Sequence, residues 1–307
     1  MANNSRQNRC PFVSVIIPVY NDSERLFELL GSLDCQSYGR ENYEIIVVDN
    51  GSDEDLKQIA DKFDVRLLYE KDIQSSYAAR NKGIGLARGE DIYAFIDSDC
   101  KACDNWISEG IKALQQTNAS IVGGKVVFTF SPKKRAAEYY DASTNFQFEE
   151  KIKRGTCGGG NLFVKKDVFD SIGLFPQNIK SGGDVLFTMK ATQSGFKLVY
   201  APDARVYHPT RNFFQLIIKT FRVAVGKANI KKMSRDSLQK KSVKLVQSGS
   251  IWSLISPWHL KRKMISSGYR VGFLKFISIL LVAYNILFVG LLGVLYGKYG
   301  KSKTDKK

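Results

Sequence analysis

Residues Val13–Pro18 read VSVIIP, an uncharged run in which Ser14 is the only hydrophilic side chain. A half-buried strand alternates apolar with polar residues; a continuous run predicts a strand covered on both faces, as in a parallel sheet. Working outward, Asn21-Asp22-Ser23 offers N-caps for a helix whose Leu26, Leu29, Leu30 and Leu33 have helical spacing. Tyr43–Val48 (YEIIVV) repeats the strand signal and runs into the turn cluster Asp49-Asn50-Gly51-Ser52. Residues 53–63 then predict a helix, 65–69 a strand, 75–87 a helix and Ile92–Ile96 (IYAFI) a fourth strand. Strand and helix thus alternate four times between Val13 and Ile96, the pattern of a doubly wound α/β sheet, in which ligands sit outside the carboxyl ends of the strands.

The acidic residues fall where that rule wants them. Asp49 closes the second strand, and Asp97-Ser98-Asp99 follows the fourth. Two carboxylates at i and i+2 lie on one side of an extended chain. Hard oxygen donors at a strand end suit Mn2+ or Mg2+, which take few protein carboxylates and share the rest of their shell with water and phosphate. No GxGxxG follows the first strand, which argues against a dinucleotide and leaves a single nucleotide open. The run Gly158-Gly159-Gly160 lacks the Lys-Ser/Thr of a phosphate loop and reads as a place of close backbone approach. Trp106 reads as core. Cys100-Lys-Ala-Cys103 has metal-ligand spacing, yet no second pair completes a zinc site, and five scattered cysteines suit a reducing compartment.

Length and charge divide the 307-residue chain. Residues 1–204 hold 25 Lys/Arg against 28 Asp/Glu, a balance of −3, whereas residues 205–307 hold 21 against two, a balance of +19. A basic tail predicts nucleic acid or an anionic membrane surface. Hydropathy separates the two: Phe276–Tyr296 (FISILLVAYNILFVGLLGVLY) carries no charge over 21 residues, about 32 Å of helix against a hydrocarbon core of about 30 Å. Basic residues flank it on both sides, so a spanning, tilted or re-entrant placement all stay open. In residues 213–232, Phe214, Ile217, Ile218, Phe221 and Val225 fall on one face of a basic helix, either to lie on a bilayer or to pack on the sheet. Trp252 and Trp258 are candidate interfacial anchors. The first ten residues, MANNSRQNRC, hold no apolar leader, which places the catalytic part on the cytoplasmic face of the membrane.

Taken together, PVYN (Pro18–Asn21), VVDNGS (Val47–Ser52), ARNKGI (Ala79–Ile84) and FIDSDC (Phe95–Cys100) resemble the ordered motifs of the family 2 glycosyltransferases, as do GGGNLFVKKDVFDSIGLFP (Gly158–Pro176) and GGDVLFTMKATQSGFKLVYAPDARVYH (Gly182–His208). The likeness covers about Val13 to His208. It implies a GT-A-like nucleotide-sugar-binding sheet with flanking helices, followed here by the basic helical membrane-attachment region. It implies that Asp49 bonds the nucleotide base, that Pro18 and Tyr20 flank it, and that Arg80 lies near the donor phosphates. Asp97 and Ser98 would bind the donor, Asp97 in the ribose or metal region; Asp99 would ligate Mn2+ or Mg2+; and Asp184 would be the catalytic base. His208 is a metal ligand in the family pattern and equally a structural histidine with a satisfied partner. Where the family usually has Glu-Asp, this chain has Gly183-Asp184.

The expected organisation is an arm at 1–12, a catalytic domain at 13–210, a basic amphipathic helical region at 211–270, a transmembrane or re-entrant helix at 271–297 and a basic tail at 298–307. The expected activity is metal-dependent inverting transfer from a nucleotide diphosphate sugar (UDP-sugar first, GDP-sugar next) to a lipid-linked or other saccharide acceptor at an anionic membrane, in cell-envelope or exopolysaccharide synthesis, with no nucleic acid partner. A polyprenyl-phosphate sugar synthase of the same fold and a non-enzymatic protein using the basic tail are the competing readings.

Overall fold

A computed structural model describes residues 10–89, 91–236 and 256–299, apart from the side chains of 229–236. Trp252, residues 1–9 of the arm and 300–307 of the tail lie outside the described residues. Eight strands form one mixed sheet: β1 (Val13–Val19), β2 (Tyr43–Asp49), β3 (Arg66–Tyr69), β4 (Ile92–Ile96), β5 (Lys101–Ala102), β6 (Ile121–Thr129), β7 (Asn161–Lys165) and β8 (Leu198–Pro209). Their order is β3-β2-β1-β4-β7-β6-β8-β5. The helices are α1 (Ser23–Asp34), α2 (Lys57–Lys62), α3 (Ser76–Leu86), α4 (Trp106–Gln116), α5 (Ala136–Thr144), α6 (Phe148–Ile152), α7 (Lys166–Ile172), α8 (Gly183–Gln193), α9 (Phe213–Asp236), α10 (Pro257–Ser266) and α11 (Phe273–Tyr299).

The continuous apolar runs behave as expected. β1, β2 and β4 are buried along their whole length, and β1 pairs in parallel with β2 on one side and β4 on the other. Crossover helices cover such strands on both faces, which removes any need for alternation. α3 sits so close to β1 that a Cβ at Gly83 would lie 2.6 Å from Ile16 Cγ2. Beyond β4 the pattern changes: β7 pairs with it antiparallel, and β6 pairs antiparallel with β7. The strand–helix alternation before Ile96 carries no information about that reversal.

Two local expectations shift. Asp22 is the N-cap residue of α1 but makes no side-chain cap bond; its carboxylate instead meets Arg25 Nε at 2.6 Å and accepts from Ser98 Oγ at 2.9 Å. The helix expected over 53–63 is confined to Lys57–Lys62, because Ser52 and Asp53 are held by Asn21.

The chain divides into two compact units. The first runs through Val127 and adds Phe148–Asn178 and Asp184–His208; the second combines Phe128–Gln147, Ile179–Gly183 and the chain from Pro209. In the second unit the buried Asp141 of α5 accepts from the Arg211 backbone N–H at 2.8 Å and lies 3.9 Å from Lys219 Nζ, tying the start of α9 to α5. Leu260, Met264, Ile279 and Ala283 form a small core between α10 and α11, with Tyr139 and Tyr140 of α5 against it.

Candidate active site

All the site residues expected from the sequence belong to the first unit. β1 lies between β2 and β4, with Val19 level with Asp49 and Ile16 level with Phe95. Asp49 and Asp97 therefore flank the end of β1 from two strands apart, roughly 10 Å at the usual strand spacing. Pro18 ends buried in β1 and Tyr20 projects half-exposed from the loop that follows. That loop is pinned: Asn21, in the left-handed region at φ +48°, accepts from the Asp53 backbone N–H at 2.8 Å and donates to the Asp53 carboxylate at 3.0 Å. Asp49 is buried and accepts from the Ser52 backbone N–H at 2.9 Å, which fixes the β2 loop from within. Asn50 adds a second tie, donating to the Glu70 and Ile73 carbonyls.

Arg80, on α3, is 3% exposed and places Nη2 2.6 Å from Asp97 Oδ1. Its buried Nε–H finds no acceptor among the described residues. The Asp97 side chain keeps 32% of its surface open to solvent, so solvent reaches the carboxylate side of the pair. Crowding by protein atoms pushes the Asp97 carboxyl above the ordinary carboxylate range; Asp99 and Asp184 add to that, while Arg80 and His208 oppose it. Ser98 is buried and donates to Asp22, so it shapes the loop through α1.

Asp99 and His208 come together although 109 positions separate them: His208 Nε2 lies 3.2 Å from Asp99 Oδ2. The histidine is buried, on β8, and has Asp99 as its partner, which fits the structural reading and leaves the metal-ligand reading as a proposal. Among the described residues no three His, Cys, Asp or Glu side chains converge into a ready-made cage. A two-donor set at a strand end still fits Mn2+ or Mg2+, since these ions complete their shells with water and phosphate oxygens.

Asp184 stands in the first turn of α8. Gly159 N–H donates to its Oδ2 at 2.7 Å, while the Tyr77 hydroxyl donates to its Oδ1 at 3.1 Å and the Val185 backbone N–H to the same oxygen at 2.9 Å. Neither Tyr77 nor Gly159 was legible as an individual site residue, though the glycine run did signal close approach. A Cβ at Gly159 would stand 3.0 Å from Cζ and Nη1 of Arg80. The same residue thus abuts the guanidinium and holds the carboxylate. Tyr77 is similarly double-sided, its ring centre 5.8 Å from Arg80 Cζ.

The other marked residues are structural. Trp106 is fully buried and donates to Asn161 Oδ1 at 2.9 Å. All five cysteines are free, and burial pushes the Cys157 thiol up to about 12.

Comparison with known proteins places the chain in a family. The sequence model of "Glycosyl transferase family 2" matches residues 14–173. The glycosyltransferase AglE of Haloferax volcanii is 39% identical over 285 residues, spanning 89% of this chain and 92% of that protein. The poly(ribitol-phosphate) beta-glucosyltransferase of Bacillus spizizenii is 27% identical over 64% of this chain, which corresponds to 32% of that longer protein. Among solved structures, the mannosyltransferase PcManGT from Pyrobaculum calidifontis, in complex with GDP-Man and Mn2+, superposes with a TM-score of 0.66 at 18% identity, covering 95% of this chain and 89% of that one. TarS of S. aureus in complex with UDP-GlcNAc gives 0.54 at 20% identity, over 94% of this chain and 89% of that one. At such identities the likeness establishes the fold, and it is the GT-A one expected from the sequence. The family match and the 39% identity to AglE overturn the non-enzymatic reading: the chain belongs to glycosyltransferase family 2 and is a glycosyltransferase.

Proposed function

We propose that the protein moves a sugar, with inversion, from a nucleotide diphosphate sugar to a membrane-proximal saccharide acceptor, and that Asp184 is the base. The observation that carries the reading is the double hydrogen bond on Asp184 from Tyr77 and Gly159, two residues that also contact Arg80. Attack on an anomeric carbon needs a base aligned opposite the departing diphosphate, and those contacts hold base and phosphate-side cation in fixed register.

In this scheme the base of the donor lies at Asp49, with Pro18 and Tyr20 on its flanks. The diphosphate extends toward Asp97, Ser98 and Arg80. Arg80, already desolvated, meets the developing charge without reorganising. Asp99 and His208 would hold the divalent ion, which when bound neutralises the leaving diphosphate. The acceptor hydroxyl gives its proton to Asp184 as its oxygen bonds to the anomeric carbon, and the bond to the nucleotide diphosphate breaks on the opposite side. A single base and direct displacement produce inversion. Solved neighbours binding GDP-Man with Mn2+ and UDP-GlcNAc support a nucleotide-sugar donor and metal use. UDP-sugar comes first and GDP-sugar next.

The apolar α11 supports a lipid-linked acceptor on the cytoplasmic face of the membrane, because anchoring would concentrate enzyme and acceptor on one surface. The test is a donor screen by nucleotide diphosphate release, with and without Mn2+ or Mg2+. Activity with one donor, lost on chelation and lost in Asp184→Asn while donor binding persists, is the expected result. Near-normal turnover of Asp184→Asn would remove the assignment, and transfer straight to a polyprenyl phosphate would change the acceptor class.

A further inference from the structure

Asp97, Ser98 and Asp99 each reach a different element. The segment is a turn, with the Cys100 N–H donating to the Asp97 carbonyl at 3.1 Å. That bond shapes the backbone; the direction of the side chains is set by what holds them. Asp97 is held by Arg80 of α3 at 2.6 Å, Ser98 by Asp22 at the start of α1 at 2.9 Å, and Asp99 lies 3.2 Å from His208 on β8. The two helices approach from opposite faces of the sheet. Leu26, Leu29 and Leu30 of α1 pack with Val15 and Ile17, whereas Gly83 of α3 meets Ile16, and successive residues of a strand point to opposite faces. The turn is therefore gripped from both sides. Arg80 and His208 have parts in the scheme proposed above; Asp22 has none.

Asp22 stands where an aspartate ordinarily serves its own helix. An N-cap carboxylate accepts from N–H groups of the first turn, yet here no side-chain cap bond forms. Both oxygens are drawn elsewhere, Oδ1 to Arg25 Nε at 2.6 Å and Oδ2 to Ser98 Oγ at 2.9 Å. The Arg25 side chain is 44% exposed, so its ion pair adds little stability. Its effect is to fix the rotation of the carboxylate, which leaves Oδ2 facing Ser98. Ser98 is buried and the Asp22 side chain only 10% exposed, so the bond between them is largely shielded from water.

We infer that Asp22 is a positioning residue of the metal site: by holding Ser98 it sets the direction in which the adjacent Asp99 carboxylate is presented, and with it the affinity for Mn2+ or Mg2+. The inference rests on Asp99 as the proposed metal ligand. An ion such as Mg2+ takes few protein carboxylates and demands near-ideal geometry from them. A ligand free to swing with its turn pays for that geometry at every binding event, and one already aimed does not.

The test is calorimetric titration of Mn2+ into the full-length chain at saturating UDP, and in parallel at saturating GDP, with thermal unfolding followed in chelator. Ser98→Ala and Asp22→Ser should each weaken Mn2+ binding about tenfold, the low end for residues that orient metal ligands. The double variant should be no weaker than either single one, because both remove the same bond. Ser32→Ala is the control for mere loosening of α1: the Ser32 hydroxyl accepts from the Ala102 N–H at 3.0 Å, just beyond the turn. It should lower the unfolding midpoint and leave Mn2+ affinity unchanged. Wild-type Mn2+ affinity in Ser98→Ala and Asp22→Ser, with binding lost in Asp99→Ala, would overturn the role of Asp22 and leave the metal site standing. An equal loss in Ser32→Ala would overturn it too, since general loosening would then set the affinity. Unchanged Mn2+ binding in Asp99→Ala would remove the metal site and this inference together.

Discussion

Tyr77→Phe isolates the hydroxyl that reaches Asp184. The ring keeps its packing 6.3 Å from Phe175 and its place beside Arg80, while the 3.1 Å bond to Oδ1 is removed. Two effects then oppose each other. Removing a donor from a carboxylate raises its basicity, which favours proton abstraction. It also frees a terminal torsion that is intrinsically broad in aspartate, so the carboxylate samples orientations that miss the acceptor hydroxyl. Hydrogen bonds to charged groups are worth about 1.5–3 kcal/mol. Here Gly159 and Val185 still donate at 2.7 and 2.9 Å, which favours the low end, and at about 1.4 kcal/mol per decade that is a fall of roughly tenfold in kcat. Donor KM should stay within about twofold, since the nucleotide side is unchanged. Steady-state release of nucleotide diphosphate at saturating acceptor gives both numbers. An unchanged or increased kcat would refute the reasoning: it would mean that orientation is set without Tyr77, or that Asp184 is not the base. A parallel rise in donor KM would instead make Tyr77 part of the donor site.

Three further perturbations probe other contacts. Asp99→Ala should abolish the metal-dependent part of donor affinity, and donor titration in matched Mn2+ and chelator buffers checks it; an unchanged affinity with metal would remove Asp99 as ligand. Gly159→Ala pushes a methyl group against a guanidinium already pinned to Asp97 at 2.6 Å, so donor KM should rise several-fold and thermal unfolding should drop by the equivalent of about 1–3 kcal/mol of overpacking; wild-type KM would contradict the contact. Glu44 is a stability case: burial raises its pKa, but donors from Ser14, the Arg88 and Gly89 backbone and Arg66 outweigh that and hold the carboxyl below its usual range. A depressed folded pKa contributes stability that is present above the unfolded value near 4.3 and lost as pH falls through the folded value. Glu44→Gln should therefore cost about 2 kcal/mol at neutral pH, with the gap to wild type closing in acid; a gap independent of pH would show that charge is not the cause.

The parts of this site legible in the sequence are those fixed by local pattern. Asp49 and Asp97 could be placed because each ends an apolar run, and a parallel strand has to terminate where its cover ends. Arg80 and Asp184 came only through resemblance to a family, since nothing in their neighbourhoods marks them. Tyr77 is the opposite case. It reads as one more helical aromatic, and its partner lies 107 positions away. Its meaning depends on the approach of α3 to α8, a tertiary fact with no periodic signature. The glycine run at 158–160 shows the middle ground: composition signals that a backbone must come close to something, but not that the something is both Arg80 and Asp184. The amphipathic stripe of α9 was likewise readable as a stripe, with either a membrane or a protein surface as its cover. The structure covers a neighbouring face, through Leu216 and Ala224, and leaves Phe214 and Ile218 open.

The charges within the first unit give the proposed metal dependence a physical basis apart from resemblance. Asp97 feels both Asp99 and Asp184, which raise its pKa, and Arg80 and His208, which oppose them. Arg80 is already engaged by Asp97, and His208 by Asp99. A nucleotide diphosphate adds negative charge beside three carboxylates while the Arg80 guanidinium is already committed to Asp97, so its entry alone is opposed by like-charge repulsion. A divalent ion relieves both the acids and the phosphates at once. It follows that metal and donor should bind with positive coupling, each strengthening the other by the same factor, as linkage requires. Calorimetric titration of donor with and without Mn2+, and of Mn2+ with and without nucleotide diphosphate, should return equal factors well above one. A donor that binds equally well in chelator would mean that Arg80 releases Asp97 and carries the phosphates by itself.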